Sequence, residues 1–381
     1  MLDESLLDDP EALARADRRG LLRGAAEAGA RVRTAVRYAV EAGVMDLKPE
    51  GRPRAILIAG PGTAAGSVAD LIGTLAGGGC PVSRLHPTGV APAAGALRWT
   101  LPGWVGPVDL LLIATPDGTE PGLELLVDQA YRRGCTVASV APARSPLTEA
   151  VGGKHGLAVA MATAPFEAEE YEQAAAGADA LWALLTPLLA LLDRTGLIAA
   201  PPDTLQKIAD RLDTTAERCG PTVATYSNPA KTLAAELTES LPLIWTEGPL
   251  AGPAGRRFAA CLAELAGSPA LAAELPEALP AHGRLLTGGL AAGADPDDFF
   301  RDRVDEPQAL RARAVLLREG SVGSLSAAPA ARELALSHDV AISELAPDEE
   351  EGERTGLESL AELIAITDFA AVYLALASGD R

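Results

Sequence analysis

Large aromatic rings are scarce in this sequence: Phe, Trp and Tyr make up 4% of its 381 residues, although 48% are apolar. The interior must therefore be built from Ala, Leu and Val, a composition that favours closely packed helices. Cysteine is also sparse. Cys80, Cys135, Cys219 and Cys261 lie far apart, with neither CxxC spacing nor a neighbouring His pair, which argues against a disulfide framework and a metal site. Each reads as a small buried apolar residue. Positive charge is short as well: 32 basic residues against 52 acidic ones leave a net charge of -20. Such a field repels phosphodiester backbones and anionic headgroups, so nucleic acid and membrane surfaces are disfavoured partners. No uninterrupted apolar run approaches the roughly 18 residues of a membrane span. The start, MLDESLLDDPEALARADRRG, is acidic and amphipathic, without the basic opening and apolar centre of a signal peptide. A soluble cytoplasmic protein is the expectation.

The length allows two domains, or three small ones, at roughly 100 to 200 residues each. Residues 10–44 carry apolar positions at helical spacing, which predicts one long N-terminal helix. AILIAG (55–60) is an apolar run ending in glycine, followed by a tight turn and the helical VADLIGTLAG. The pattern repeats with VDLLLIA (108–114), CTVASV (135–140) and LAVAMA (157–162), and helical spacing returns from Glu167 to Leu192. IAAPPD (198–203) reads as a linker. Beyond it a second set of units places strands at LPLIWTEG, ARAVLLRE (312–319) and DVAISEL (339–345), while the acidic run PDEEEGE (347–353) reads as a solvated loop. Strands alternating with helices imply parallel pairing in doubly wound sheets. We therefore expect an α/β fold of two three-layer α/β/α halves, with residues 1–48 as an N-terminal helix, 49–197 as the first half and 198–381 as the second.

Two loops could carry chemistry. Gly60-Pro61-Gly62-Thr63-Ala64-Ala65-Gly66 follows a predicted strand and opens a helix, where glycines let the backbone approach an anion and free amides point at it. A dinucleotide site would also want a carboxylate about 20 residues on. PVSRLHP stands there, offering Arg84 and His86 instead. No cofactor is therefore expected. The same glycines would equally serve tight strand-to-helix packing. The second loop, Thr115-Pro116-Asp117-Gly118-Thr119-Glu120, lies at the carboxyl end of a strand. Thr115 and Thr119 could donate to a phosphate, but Asp117 and Glu120 would repel one, and an Asp-Gly turn explains the loop as well.

The phrase Asn228-Pro229-Ala230-Lys231, followed by a helix and Pro242-Leu243-Ile244-Trp245, resembles the entry to the second domain of the bifunctional phosphoglucose/phosphomannose isomerase family, whose members carry two sugar-isomerase (SIS) domains. GPGTAAGSVADLI and TPDGTE stand in the places of that family's glycine and serine loops. RRFAACLAELAGSP, LPEALPAH and DFAAVYLALASGD follow in the family's order. The resemblance covers about residues 50–381. It implies a sugar-phosphate ligand in a cleft between the domains, held by Gly62, Thr63, Thr115, Asp117 and Thr119. The family chemistry is aldose–ketose isomerisation of a hexose 6-phosphate by proton transfer between C1 and C2 through an enediol.

By position, Glu264 matches the family's base, Arg257 the cation that stabilises the enediolate, and His282, displaced by two residues, the ring-opening group. The glycine-loop serine is Ala65 here, the phosphate-holding second serine is Asp117, and the family's lysine near Arg257 is Ala259. The family's further catalytic Lys lies on a helix beyond the sequence at hand. The alternative is a non-catalytic sensor or regulatory partner that has lost the phosphate clamp. The family also implies a homodimer, to which the last helix, with Phe369, Tyr373 and Leu376 at helical spacing, could lend an interface or else pack within its own chain.

Overall fold

The computed structural model describes residues 4–49, 51–162, 180–288, 290, 311–320, 325–346 and 355–378. The acidic run 347–353 and the first part of the helix expected from Glu167 lie outside the described residues. The chain forms two compact units, residues 19–214, and residues 215–381 with 1–18.

The N-terminal region departs from the single long helix expected of it. It contains α1 (Glu4–Leu7), α2 (Pro10–Ala16), α3 (Leu21–Ala26) and α4 (Ala28–Glu41), broken where Gly20 adopts a left-handed conformation (φ 66°) and where Glu27 separates α3 from α4. Asp8 explains why the first 18 residues join the C-terminal unit. Its carboxylate accepts hydrogen bonds from the Thr225 amide (2.8 Å) and hydroxyl (2.9 Å), and Leu7 and Leu13 are buried.

In the unit of residues 19–214, the chain runs β1 (Ile56–Ala59), α5 (Gly62–Leu75), β2 (Val82–Leu85), β3 (Leu110–Ala114), α6 (Pro121–Arg132), β4 (Thr136–Ala141), α7 (Pro146–Gly152), β5 (Leu157–Ala160) and α8 (Ala180–Arg194). All pairs are parallel, in the order β2-β1-β3-β4-β5. The expected trio of strands is adjacent as the apolar runs predicted. Alternate side chains face opposite layers: Leu57, Leu111, Ile113 and Val137 meet Leu123, Leu126, Val127, Leu147 and Val151 of α6 and α7. The helices α4, α5 and α8 cover the opposite face.

The other unit takes in the end of α9 (Pro202–Arg218) and then α10 (Pro229–Glu236), β6 (Ser240–Glu247), α11 (Ala251–Ala266), β7 (Leu271–Glu274), α12 (Ala278–Thr287), β8 (Arg311–Arg318), α13 (Ala328–Ser337), β9 (Ile342–Leu345) and α14 (Gly356–Ser378). Its strands are also all parallel, in the order β7-β6-β8-β9. Leu243 and Trp245 face α12 and α13, whereas Ile244 and Thr246 face α11, which approaches so closely at Gly255 that a Cβ there would lie 2.4 Å from the Thr246 methyl. The β7 strand, Leu-Ala-Ala-Glu, carries too weak a pattern to be read from sequence.

Helix α14 is where the expectation of no membrane span is tested. It is long and apolar enough to cross a membrane by length and composition, despite Glu362 and Asp368, yet 89% of its apolar window is buried inside this unit, where it packs on α10 and α11. It is a core helix. Phe369 and Tyr373 are buried within their own chain, so of the two readings of that stripe the internal one describes it.

Candidate functional site

Each sheet reverses its strand order once, between β1 and β3 in one unit and between β6 and β8 in the other. Open α/β sheets bind ligands outside the carboxyl ends of their strands at such reversals. In the first unit the glycine loop leaves β1 and the Thr115–Glu120 loop leaves β3 at this point. The two touch: a Cβ at Gly60 would lie 1.9 Å from the Ala114 carbonyl oxygen, so only glycine fits.

Gly62 and Thr63 open α5, whose cap residue, Pro61, provides no side-chain hydrogen bond. The first-turn amides are therefore free of a side-chain cap, the arrangement that suits an anion. Arg84, at the end of β2, lies against this turn. It donates from Nη2 to the Gly62 carbonyl at 3.3 Å, and its guanidinium passes so close to Gly66 that a Cβ there would sit 2.6 Å from Nη1. Burial lowers the Arg84 pKa. In the sequence Arg84 only marks the place where a dinucleotide site would want a carboxylate. Its real setting, beside the first turn of α5, depends on β1 and β2 pairing in register, Ile58 with Arg84.

The second loop spends its donors on itself. The Thr115 hydroxyl, fully buried, accepts from the Asp117 amide (3.2 Å) and the Gly118 amide (3.3 Å) and donates to Glu120 Oε1 (2.7 Å). Thr119 donates its hydroxyl to the Asp117 carboxylate at 2.7 Å, and both are exposed. Gly118 holds the turn with φ 74°, under Ser145. Glu120 is 1% exposed and its Oε2 is buried with no hydrogen-bond partner; burial pushes its carboxyl above the usual range, against the bond from Thr115. Thus Thr115, Asp117 and Thr119 come together, but both hydroxyl protons point at carboxylates.

Arg257, Glu264 and His282 lie in the other unit. Arg257 is 2% exposed and donates to both oxygens of Asp368 on α14, at 3.0 and 2.8 Å. Burial alone would lower its pKa, but the Asp368 carboxylate outweighs burial and holds it above the ordinary value. Glu264, two turns along α11, is exposed. His282 belongs to the opposite face of the sheet. Its Nδ1 accepts the Trp245 indole N–H at 2.7 Å, and burial lowers its pKa. A cavity of about 330 Å³ lies near the ends of β6 and β7, lined by Thr246, Gly252, Arg256, Ala273, Glu274 and Glu277. None of the three matched residues lines it.

The Asn-Pro-Ala-Lys phrase has a structural use. Asn228 caps α10 by accepting from the Ala230 and Lys231 amides, and the fully buried Lys231 ammonium donates to the carbonyls of Pro221 and Val223, both at 2.8 Å. The four cysteines are buried as expected, and burial pushes the thiols of Cys219 and Cys261 up to about 12.

Residues 226–380 match the family model described as the bacterial phospho-glucose isomerase C-terminal SIS domain. No curated protein matches the chain. Among solved structures, a glucose-6-phosphate isomerase like protein from Thermus thermophilus is similar over 97% of this chain and 92% of its own, with 19% identity and a TM-score of 0.52. A hypothetical protein from the same organism aligns over 98% of this chain and 89% of its own at 14% identity and a TM-score of 0.62. The tagatose-6-phosphate ketose/aldose isomerase of Escherichia coli aligns over 94% and 91% at 13% identity and a TM-score of 0.54. Residues 226–380 thus resemble that C-terminal SIS domain, and the two parallel sheets with helices on both faces share the fold of these solved structures.

Proposed function

We propose that this chain binds a sugar phosphate, or a related sugar derivative, and acts as a sensor or regulatory partner and not as an isomerase of hexose 6-phosphates. The binding part of this reading is supported by the SIS fold and by the open first turn of α5, with Gly62, Thr63 and Arg84 beside it. The observation that carries the non-catalytic part is the setting of Arg257. A cation that stabilises an enediolate must reach the substrate oxygen, and this guanidinium is enclosed with Asp368 in the packing of α11 on α14. The second loop agrees, because Asp117 takes the hydroxyl proton of Thr119 that a phosphate would need.

One observation favours the second reading, aldose–ketose isomerisation. Glu264 is exposed on the helix where the resemblance puts the base, and so is accessible to a substrate. In that case its carboxylate would take the proton from one of C1 and C2 and return it to the other. Incubation with glucose or mannose 6-phosphate in deuterium oxide separates the readings. The sensor reading expects no deuterium at C2, together with ligand-dependent thermal stabilisation. Exchange at C2 that disappears in Glu264→Gln would establish the isomerase instead. A homodimer, expected from the family, is tested by sedimentation at micromolar concentration.

A further inference from the structure

The strand-order reversal of the second unit, between β6 and β8, is furnished like an anion site and is already occupied by the chain itself. Glu247, the last residue of β6, is 7% exposed. Its Oε1 accepts from the Ala327 amide at 2.5 Å and the Ala328 amide at 3.3 Å, at the start of α13. The Ser326 hydroxyl lies 2.9 Å from both of its oxygens, and Arg318 Nε is 3.3 Å from Oε2. Two helix-terminal amides, a hydroxyl and a guanidinium are a donor set suited to a phosphate.

Glu319, which follows β8, does the same for the neighbouring helix. Its Oε2 accepts from the Leu250 amide at 3.0 Å, just ahead of α11, and sits where a Cβ on Gly248 would be 2.5 Å away. Both helix starts at this reversal are thus served by carboxylates that come from the strand ends. The first unit differs, because α5 has no side chain on its first-turn amides.

We propose that Glu247 is an internal plug that occupies the anion seat of the second unit and closes it to phosphate, so that an anionic ligand is bound by the other unit alone. An incoming phosphate would have to expel Glu247 from its donors and leave a buried carboxylate unpaired, a state that costs far more than a surface ion gains. The seat is also tied into a chain of alternating charge. Arg318 Nη1 reaches Glu344 Oε1 at 2.7 Å, and Arg332 Nη2 reaches Glu344 Oε2 at 2.7 Å, so the Arg318 guanidinium is held in place when the plug is removed.

Inorganic phosphate titrated calorimetrically into the full chain tests this. Glu247→Ala should show one more phosphate site per chain than the wild type, with a Kd at least tenfold below any wild-type value for that seat, and the added site should vanish in Glu247→Ala with Ser326→Ala. Glu247→Gln, whose amide oxygen refills the seat, should gain no site. A folded Glu247→Ala that gains no phosphate site overturns the proposal. A Glu247→Ala that folds only when phosphate or formate is present supports it, because the anion then replaces the missing carboxylate. If that variant folds with neither anion, the wild type decides: Ser326→Ala must leave its phosphate binding unchanged, and loss of a site would show that the native seat is open. The outcome is independent of whether the first unit binds a sugar phosphate, since the wild-type titration supplies that baseline.

Discussion

Replacing Asp368 by Ala asks whether Arg257 serves the fold or the chemistry. The pair is linked by hydrogen bonds of 3.0 and 2.8 Å, with Arg257 2% and Asp368 5% exposed. Removing the carboxylate leaves a guanidinium that cannot escape its position by losing a proton. Breaking a buried pair in this way costs about 3–5 kcal/mol, against a total stability on the order of 5–15 kcal/mol for a folded unit. With a urea slope of about 1–3 kcal/mol/M, the midpoint of the transition of this unit should fall by about 1 M or more. Replacing both partners, Arg257→Met with Asp368→Leu, should restore the unfolding free energy to within about 1 kcal/mol of wild type or exceed it, because the desolvation cost of both ions is removed together. Urea titrations of the full chain followed by circular dichroism measure all three proteins. An Asp368→Ala cost below about 1 kcal/mol, or a double variant no better than the single, would refute the structural assignment. A double variant that is stable but no longer binds sugar phosphate would return Arg257 to the ligand.

Three further outcomes follow from the geometry. Asp109 is held below its ordinary 3.8, chiefly by the hydrogen bond from Arg54, so its contribution is fully present above about that pH and is lost as pH falls through the lowered folded value; urea titrations at pH 5 and pH 3 should show a smaller loss for Asp109→Asn than for wild type. His282 is held below 6.5 by burial, so the unfolded chain takes up its proton first and stability should decline as pH falls from 6.5; His282→Gln should lack that component, and an unchanged profile between pH 7 and 5 would remove the claim. Asp117→Ser removes the acceptor of the Thr119 hydroxyl and a negative charge, and should tighten sugar-phosphate binding by about 1 kcal/mol, roughly fivefold by calorimetry; no change would mean that the phosphate is held elsewhere.

The strands that were legible in the sequence were those whose buried faces give unbroken apolar runs, such as Leu110–Ala114 and Thr136–Ala141. Val82–Leu85 and Leu271–Glu274 are edge strands with mixed burial, and the second of these carried no readable signal. The N-terminal region breaks into shorter helices than its periodicity implies, because periodicity records which faces are apolar and does not register Gly20 turning left-handed. The site was legible as loops and illegible as bonds. TPDGTE could be placed at a strand end, but whether Thr119 donates to a ligand or to Asp117 is settled by angles within one turn. Glu247 offered no signal, since its partners Ser326 and Ala327 lie some 80 residues away.

The sequence by itself determined the alternation of strands and helices, the parallel sheets that alternation requires, the burial of the four cysteines and the likeness to double-SIS proteins. These are consequences of local apolar patterning and of short ordered motifs, which survive without knowledge of distant neighbours. Only the tertiary structure decided which charges meet. Arg257 finds Asp368 across 111 residues, Trp245 finds His282 across 37, and Glu247 finds the start of α13 across 80. A buried charge or polar group must be satisfied wherever the chain brings a partner, and that choice depends on packing between elements, which no local pattern encodes.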